Sequence, residues 1–335
     1  MARGLLKALR LAGFEPRVAS TFQSRDRDGD QARQADLITA AQDEAATVIT
    51  TGQTAGWKAW ITYHNYYKAP DLIGPKVARA LHIPYVLIEA TRARKRLTGP
   101  WARFAELAEE ATDAADAVLY MTARDAEALQ AYAPQGQIIR QLRPFLARDR
   151  LPPETNRSRS VLSVGMLRHG DKYASYELIA EALKHLNTPE WHLQIAGDGP
   201  ARAQVEALMA PFDRHVSFLG ALDDAGLEKA YGTHSILFWP GVNEAFGMTY
   251  LEAQAAGLAV VAQSRPGVTD VLAPAGFYPT PEQGAPALAS VLDILLSDPG
   301  SVAQNGRAAR RYIGETHMIE SAANTLNKTL QEVLR

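Results

Sequence analysis

The chain contains no cysteine. That absence excludes disulfide bonds, thiolate metal sites and a cysteine nucleophile, and it suits a reducing compartment. Long apolar runs are also missing, since no stretch approaches the roughly 20 residues that a membrane-spanning helix needs. No signal peptide is visible, because Lys7 and Arg10 interrupt the first helical segment. We therefore expect a cytoplasmic protein.

An excess of positive charge is missing as well. The formal net charge is −2 over 335 residues, which argues against a general nucleic-acid-binding protein. Hydrophobic residues make up 47% of the chain and charged residues 21%, proportions typical of a globular protein. The length is sufficient for two domains of ordinary size.

Helical and strand patterns alternate along the chain, and this alternation predicts α/β domains with parallel sheets. The predicted helices cover residues 2–12, 36–44, 75–81, 101–115, 123–131, 176–186, 201–209, 223–231 and 301–334. The predicted strands cover residues 16–20, 46–50, 59–63, 85–88, 117–121, 160–165, 216–220, 235–239 and 258–261, and a further strand begins at 191. Three prolines predict a linker over 143–158, with domains at 1–142 and 159–315 and a C-terminal helix over 316–335.

The first helical segment, residues 2–12, places leucines on one side and basic residues on another. The pattern favours a surface helix that packs on a sheet. The alternative is a basic amphipathic helix that touches the inner membrane face, which would make the protein a peripheral membrane protein.

The most informative stretch, residues 238–261, reads as strand, turn, helix and strand. Asn243 is predicted to open the helix, and Gly257 is predicted to end it in a left-handed conformation. Glu244 and Glu252 are eight residues apart, which is about 800° of helical rotation. Both can face one cleft if Glu244 lies on the loop before the helix. The free amides at the helix start form a natural anion site.

This stretch contains E-A-F-G-M-T-Y-L-E-A, followed by A-x-G-x-x-V-V. It resembles the E-x7-E signature of retaining glycosyltransferases of family 4. The competing interpretation is an amphipathic helix with two solvated glutamates. The resemblance implies an α/β fold of the GT-B type, in which two Rossmann-like domains with parallel sheets face each other across a cleft. Such proteins usually begin with a strand and a Gly-rich loop before the first helix, so we expect either an upstream start or a trimmed domain here.

The resemblance implies roles for the two glutamates. Glu252 would bind the ribose hydroxyls of a nucleotide sugar, since two acceptor oxygens match a vicinal diol. Glu244 would hydrogen-bond hydroxyls of the donor sugar. In GT-B proteins the final helix returns to the first domain, and the last turns of this chain are expected to do so.

Further residues are implied in binding the nucleotide and its diphosphate. Lys172 would bind the diphosphate. Arg168 would take the place of the arginine that relatives carry where this chain has Met166. Backbone amides at the helix start would add to this site, namely those of Phe246, Gly247 and Met248. The glycines of a G-D-G-P turn, Gly197 and Gly199, would line the nucleotide pocket. Cations and a helix terminus can stabilise the leaving group, so we expect no metal and no other cofactor.

Polar residues follow two predicted strands of the first domain, where open parallel sheets bind ligands. We predict His64, Glu89 and Arg92 as acceptor-side residues, although His64 taken alone fits a structural histidine equally well. The basic cluster over 92–96 is either a solvated loop or a contact for an anionic acceptor such as a phosphate or an acidic sugar.

The sequence thus predicts a hexosyltransferase that moves a sugar from a nucleotide-diphosphate sugar with retention of anomeric configuration. The acceptor is a glycan, a lipid or a small molecule, and the expected setting is cell-envelope or polysaccharide biosynthesis. A catalytically weak nucleotide-sugar-binding or partner subunit is the second hypothesis. A GT-B epimerase or phosphorylase is the third.

Overall fold

The computed structural model describes residues 1–155, 158 and 160–335, and it divides into two compact units. Unit 1 comprises Met1–Arg143 and Glu320–Arg335, and unit 2 comprises Pro144–Ile319. Within the predicted linker, Asn156 and Arg157 lie outside the described residues, and so does Arg159, the first residue of the predicted second domain.

Unit 1 is built around a parallel sheet with the strand order β1-β2-β3-β4. The strands are β1 Trp60–Asn65, β2 Tyr85–Ala90, β3 Ala117–Tyr120 and β4 Ile138–Gln141. The helices before and between them are α1 Ala2–Leu11, α2 Gln31–Ala55, α3 Gly74–Leu81, α4 Ala102–Ala114 and α5 Ala123–Ala131. The strands β2 and β3 read as apolar runs because both faces of a parallel sheet are covered, and Leu87, Val118 and Leu119 are fully buried.

Unit 2 contains a five-stranded parallel sheet in the order β7-β6-β5-β8-β9. Its strands are β5 Val161–Val164, β6 Leu193–Ala196, β7 Val216–Gly220, β8 Ile236–Phe238 and β9 Ala259–Val261. Its helices are α6 Asp171–Lys184, α7 Arg202–Met209, α8 Asp224–Thr233, α9 Met248–Ala256, α10 Gly284–Ser297 and α11 Pro299–Thr316. The strand order reverses between β5 and β8, and ligands of open α/β sheets bind beyond the carboxyl ends of the strands at such a switch point.

One long helix, α2, replaces the predicted helix over 36–44 and the predicted strand over 46–50, so that strand prediction is wrong. The β-branched threonines of this segment form hydrogen bonds within the helix instead. Thr47 and Thr50 donate their hydroxyls to the carbonyls four residues earlier, at 3.1 and 3.0 Å. Ala41, Ala45 and Val48 recur at helical spacing and are buried, so tertiary packing outweighs the local preference for a strand.

The predicted strand over 16–20 is also wrong, because this part of the chain is not in a sheet. The segment lies along a groove of about 650 Å³ that it shares with β1 and α1. β1 pairs with β2, and no other strand of the described chain pairs with it. An extended segment without a ladder partner does not become a strand.

The first and last helices differ in how well the sequence predicts them. α1 buries Leu5, Ala8 and Leu9, which is the packing of a surface helix on its own unit. The predicted helix over 301–334 is two helices, since α11 ends at Thr316 and α12 runs over Ile319–Val333. β4 and α10 are not predicted at all.

Across the residues that the structure describes, no helix has both the length and the apolarity to cross a membrane.

Candidate functional site

The carboxyl ends of β5 and β8 meet at the switch point of unit 2. The Ser163 hydroxyl donates to the Phe238 carbonyl at 2.6 Å and ties the two strands together. The Tyr176 hydroxyl donates to the carbonyl of Gly165 at 2.9 Å, where β5 enters its loop. A Cβ on Gly165 would lie 2.7 Å from the Trp239 ring, so only glycine lets that ring reach this position.

An ion pair occupies this switch point. Lys172, in the first turn of α6, donates its ammonium to Glu244 Oε1. Trp239 Nε1 donates to the same oxygen at 3.0 Å, and the ammonium lies 5.1 Å from the centre of the Trp239 ring. The side chains of Lys172 and Glu244 are 15% and 16% exposed. Glu244 Oε2 accepts no hydrogen bond from the described residues, which leaves it open to a ligand.

The loop between β8 and α9 holds Glu244 in place. Asn243 adopts a left-handed backbone, with φ at 51°, and its side-chain amide donates to Asp171 Oδ2 at 3.0 Å. The amide of Val242 donates to the Ser175 hydroxyl at 3.1 Å. The prediction that Asn243 opens the helix is wrong, because asparagine tolerates the left-handed conformation of a tight loop and α9 starts at Met248. Glu244 therefore lies on the loop before the helix.

The start of α9 presents free backbone donors. The residue before it, Gly247, has φ at 79° and supplies no side-chain cap. The first amides of a helix have no partner within the helix, so those of Met248 and Thr249 are available to an anion. Phe246, in the loop before this helix, is buried, with 9% of its surface exposed. The predicted left-handed end of the helix at Gly257 is confirmed, with φ at 88°.

Glu252 lies on α9 and has a partner of its own. The Tyr231 hydroxyl donates to Glu252 Oε2 at 2.9 Å. Burial raises the pKa of Glu252, while the hydrogen bond from Tyr231 and the charge of Arg148 oppose this rise. Burial, with the charge of Glu252, also raises the pKa of the Tyr231 hydroxyl. The two glutamates thus have different environments, because Glu244 is paired with a cation and Glu252 is held by a neutral phenol.

The glycines after β6 pack directly on the loop after β5. A Cβ on Gly197 would lie 1.9 Å from the carbonyl oxygen of Gly165. A Cβ on Gly199 would lie 2.4 Å from the carbonyl oxygen of Leu167. The G-D-G turn therefore brings backbone against backbone beside the switch point. Its role in lining a nucleotide pocket stays a prediction.

Arg168 has no side-chain contact of this kind with the described residues. It is exposed, as is Met166, in the loop between β5 and α6. No described carboxylate forms an ion pair with the Arg168 guanidinium. Its role at a diphosphate stays a prediction.

The predicted acceptor-side residues lie in unit 1, and the structure brings two of them together. His64 at the end of β1 and Glu89 at the end of β2 have positive φ angles of 73° and 58°. The distance from His64 Nε2 to Glu89 Oε2 is 3.8 Å. Burial and the neighbouring Glu89 carboxylate raise the pKa of the Tyr63 hydroxyl, which is hydrogen-bonded to Glu89. Glu89 Oε2 is buried and has no hydrogen-bond partner among the described residues.

Arg92 has a different environment. Its side chain is 1% exposed, and it donates to Glu109 Oε2 and Asp113 Oδ1, each at 2.5 Å. Both terminal nitrogens are occupied by these ion pairs, which join the end of β2 to α4. Its predicted contact with an acceptor stays a prediction.

Two residues of the unit 2 site were missed by sequence reasoning. Trp239 carried a weak signal, since it is an aromatic donor directly after an apolar strand and before Pro240-Gly241. Tyr231 carried none, because its partner Glu252 is distant in sequence.

In the described part of the chain, no group of three His, Cys, Asp or Glu side chains could hold a metal ion.

Residues 158–298 match the family model described as Glycosyl transferases group 1. The match covers Lys172, Glu244 and Glu252. It does not extend over unit 1.

Two curated relatives resemble part of the chain. The phosphatidyl-myo-inositol mannosyltransferase of Mycobacterium tuberculosis H37Rv is 31% identical over 186 residues, which are 50% of this chain and 47% of that protein. The 2-deoxystreptamine glucosyltransferase of Streptomyces kanamyceticus is 30% identical over 145 residues, which are 42% of this chain and 37% of that protein. The chain therefore spans less than half the length of these relatives.

Solved structures resemble the chain more extensively. Sucrose-phosphate synthase of Thermosynechococcus elongatus has a TM-score of 0.70 at 16% identity, over 99% of this chain and 92% of that one. Anabaena HepE in complex with UDP has a TM-score of 0.69 at 15% identity, over 87% of this chain and 82% of that one. These likenesses and the two parallel-sheet α/β units show that the fold is GT-B, so the predicted fold class is confirmed.

Proposed function

We propose that the chain is a retaining glycosyltransferase of family 4, which transfers a hexose from a nucleotide-diphosphate sugar to an acceptor. The observation that carries this proposal is the Lys172–Glu244 pair at the switch point of unit 2, on the loop that leads to the uncapped start of α9. The family match over residues 158–298 supports it. A solved neighbour, Anabaena HepE, is described in complex with UDP-glucose, which supports a nucleotide sugar as the donor.

The leaving group in this proposal is a nucleoside diphosphate. The bond from the anomeric carbon to the diphosphate oxygen breaks, and its electron pair leaves with that oxygen. The Lys172 ammonium and the first amides of α9 stabilise the charge that develops there. We include the exposed Arg168 in this proposal as a second cation for the diphosphate. A cation and a helix terminus supply this stabilisation, so we propose that no metal is required.

The two carboxylates hold the donor at its two ends. A hydroxyl of the sugar donates a hydrogen bond to the open oxygen Oε2 of Glu244, while Oε1 keeps its hydrogen bonds from Lys172 and Trp239. Glu252 binds the ribose diol, and the Tyr231 hydroxyl fixes the orientation of the carboxylate. The Gly197 and Gly199 turn lets the nucleotide approach the backbone closely.

The acceptor oxygen attacks the anomeric carbon from the face that the diphosphate leaves, which preserves the configuration. Its proton passes to the departing diphosphate, so atoms and charges balance without a protein nucleophile. The acceptor is a sugar, a lipid or a small molecule, and the protein acts in the cytoplasm, where a peripheral contact with the inner membrane face would present a lipid acceptor.

A transfer assay tests this proposal. The purified chain is incubated with UDP-, GDP- and ADP-sugars and a panel of acceptors, and the anomeric configuration of the product is read by proton NMR. We expect one nucleotide series to give product with the configuration of the donor. Inverted product contradicts retention. Binding of a nucleotide sugar without transfer to any acceptor supports the alternative, a catalytically weak nucleotide-sugar-binding or partner subunit.

A further inference from the structure

A cluster of cations and aromatic rings lies in unit 1, which the family match does not cover. We call it the cation–aromatic cluster, and it consists of Tyr67, Lys68, Arg96 and Trp101. Lys68 Nζ lies 5.8 Å from the centre of the Tyr67 ring and 4.7 Å from that of Trp101. Arg96 Cζ lies 5.2 and 5.7 Å from the same two centres. The Tyr67 and Trp101 rings meet edge to face at 5.7 Å. Two cations thus share one pair of rings.

These cations lack acidic partners within the described chain. Lys68 Nζ donates to the backbone carbonyl of Arg27 at 3.3 Å and forms no ion pair, and Arg96 forms none. The nearby acid Asp26 directs its carboxylate to the Gln34 side chain and to a backbone amide. Arg92, four residues before Arg96, differs from these two cations, because two carboxylates form ion pairs with it.

Two N–H donors of the cluster are also unsatisfied. Arg96 Nε and Trp101 Nε1 are buried without a hydrogen-bond partner among the described residues. Buried donors in native proteins almost always have an acceptor. Like charges on shared rings repel each other, and an anion placed between them would remove that repulsion and supply acceptor oxygens. The cluster therefore has the composition of an anion site.

A line of rings connects the cluster to the strained pair at the strand ends. The Tyr66 ring is 5.9 Å from that of Tyr67 and 6.0 Å from that of His64. His64 in turn lies beside Glu89, whose buried oxygen Oε2 accepts no hydrogen bond from the described residues. Positive φ angles at non-glycine residues persist only where the surroundings enforce them, and they concentrate at functional sites. The carboxyl ends of β1 and β2 are also where ligands of such sheets bind.

We propose that the acceptor is a phosphorylated polyol, whose phosphate binds Lys68 and Arg96 and whose hydroxyl end lies at the His64–Glu89 pair. This inference rests on the proposed function and names its acceptor class. An arginine and a lysine suit a phosphate because one offers a planar pair of donors and the other a point charge. The aromatic rings between the two ends provide a surface for the carbon skeleton of the polyol. The phosphate belongs either to a soluble ester or to a lipid headgroup.

Direct binding to two probes tests the proposal. One arm titrates glycerol 1-phosphate in solution by calorimetry. The other arm measures cosedimentation with phosphatidylcholine vesicles that contain phosphatidylglycerol, against vesicles of phosphatidylcholine alone. We expect binding in at least one arm, weakened by added salt because the interaction is electrostatic. Binding in solution identifies a soluble ester as sufficient, and binding to anionic vesicles alone identifies the lipid headgroup.

Variants locate the binding in the cluster. Lys68→Met and Arg96→Met each remove one charge, and we expect each to weaken binding about tenfold or more. Lys68→Arg keeps the charge and should retain binding. Lys76→Met, at an exposed lysine of α3, is the matched control and should bind like the wild type. Melting temperatures of all variants show whether a loss reflects unfolding.

The outcomes separate this proposal from the proposed function. UDP binding, measured in parallel, reports on unit 2. Phosphate-probe binding that depends on Lys68 and Arg96 supports the anion site even if UDP does not bind. A wild type that binds neither probe, or a folded Lys68→Met/Arg96→Met double variant with wild-type affinity, overturns the proposal even if UDP binds.

Discussion

Lys172 and Glu244 form a half-buried ion pair at the switch point of unit 2, and the indole of Trp239 donates to the same carboxylate oxygen. The pair joins the first turn of α6 to the loop after β8, and the reversal of strand order makes these two segments neighbours. A cation fixed in this way is oriented before a ligand arrives. Preoriented charge stabilises a developing anion more than mobile charge does.

Replacing Lys172 with methionine tests its role at the leaving group. Lys172→Met keeps an unbranched side chain of similar size and removes the charge. We expect the turnover rate to fall by about a hundredfold or more, which is typical for the loss of one preoriented donor. The measurement is the steady-state rate of sugar transfer. Lys184→Met, at an exposed lysine of the same helix, is the control and should leave the rate unchanged. A rate for Lys172→Met within twofold or so of the wild type contradicts this role.

Replacing Trp239 with phenylalanine separates the ring from its hydrogen bond. Trp239→Phe keeps an aromatic ring beside Tyr176 and removes the donor to Glu244. We expect the free energy of unfolding to fall by about 1–2 kcal/mol, because a partly buried carboxylate loses a donor. Urea denaturation measures this change. Trp191→Phe, at a tryptophan that stacks on His215, is the control for tryptophan replacement as such. An equal loss of stability in both variants would contradict a stabilising hydrogen bond from Trp239 to Glu244.

Gly197 is predicted to tolerate no side chain. In Gly197→Ala the added Cβ would lie 1.9 Å from a backbone carbonyl, so one of the two loops has to move. We expect a loss of about 3 kcal/mol or more in the free energy of unfolding. Gly136→Ala is the matched control, because that glycine also has a positive φ but its Cβ would meet nothing within 4 Å. The control should lose about 1–2 kcal/mol from backbone strain alone. Equal losses in the two variants would show that the close approach is relaxed in solution.

Glu252 makes stability depend on pH. Its folded-state pKa is raised above the value of 4.5 that it has when exposed, mainly by burial. The folded state therefore binds more protons than the unfolded state in this window, and stability falls as the pH rises from 4.5 through the raised pKa. Glu252→Gln removes this dependence. We expect the variant to gain stability relative to the wild type as the pH rises from 4.5 toward neutral, measured by urea denaturation at a series of pH values. A difference that stays constant or shrinks with rising pH contradicts the raised pKa.

The sequence predicts the framework of both units because buried parallel strands are apolar runs. The predicted strands at 85–88, 117–121 and 216–220, for example, match β2, β3 and β7 with small differences at their ends. Gly257 is predictable because a glycine directly after an apolar helical pattern is a standard helix end. The errors in the predicted secondary structure arise where tertiary packing determines whether a segment is a helix or a strand. The threonines of α2 favour a strand locally, yet their neighbours at helical spacing are buried.

The candidate site is predictable only in part. The spacing of Glu244 and Glu252 places both near α9, and the resemblance adds Lys172. The sequence does not reveal that Lys172 pairs with Glu244, because these residues are 72 positions apart. Nor does it reveal the left-handed backbone of His64 and Glu89, since neither residue type requires it. Such conformations are set by the packing around the strand ends.

The most direct measurement is thermal unfolding of the wild type and of Glu252→Ala with UDP-, GDP- and ADP-sugars. A ligand that binds only the folded state raises the melting temperature by linkage. Glu177→Ala, at an exposed glutamate of α6, serves as the control variant. We expect one nucleotide series to stabilise the wild type and Glu177→Ala but not Glu252→Ala. A wild type that no nucleotide sugar stabilises, or a Glu252→Ala variant stabilised like the wild type, would contradict a donor site on α9.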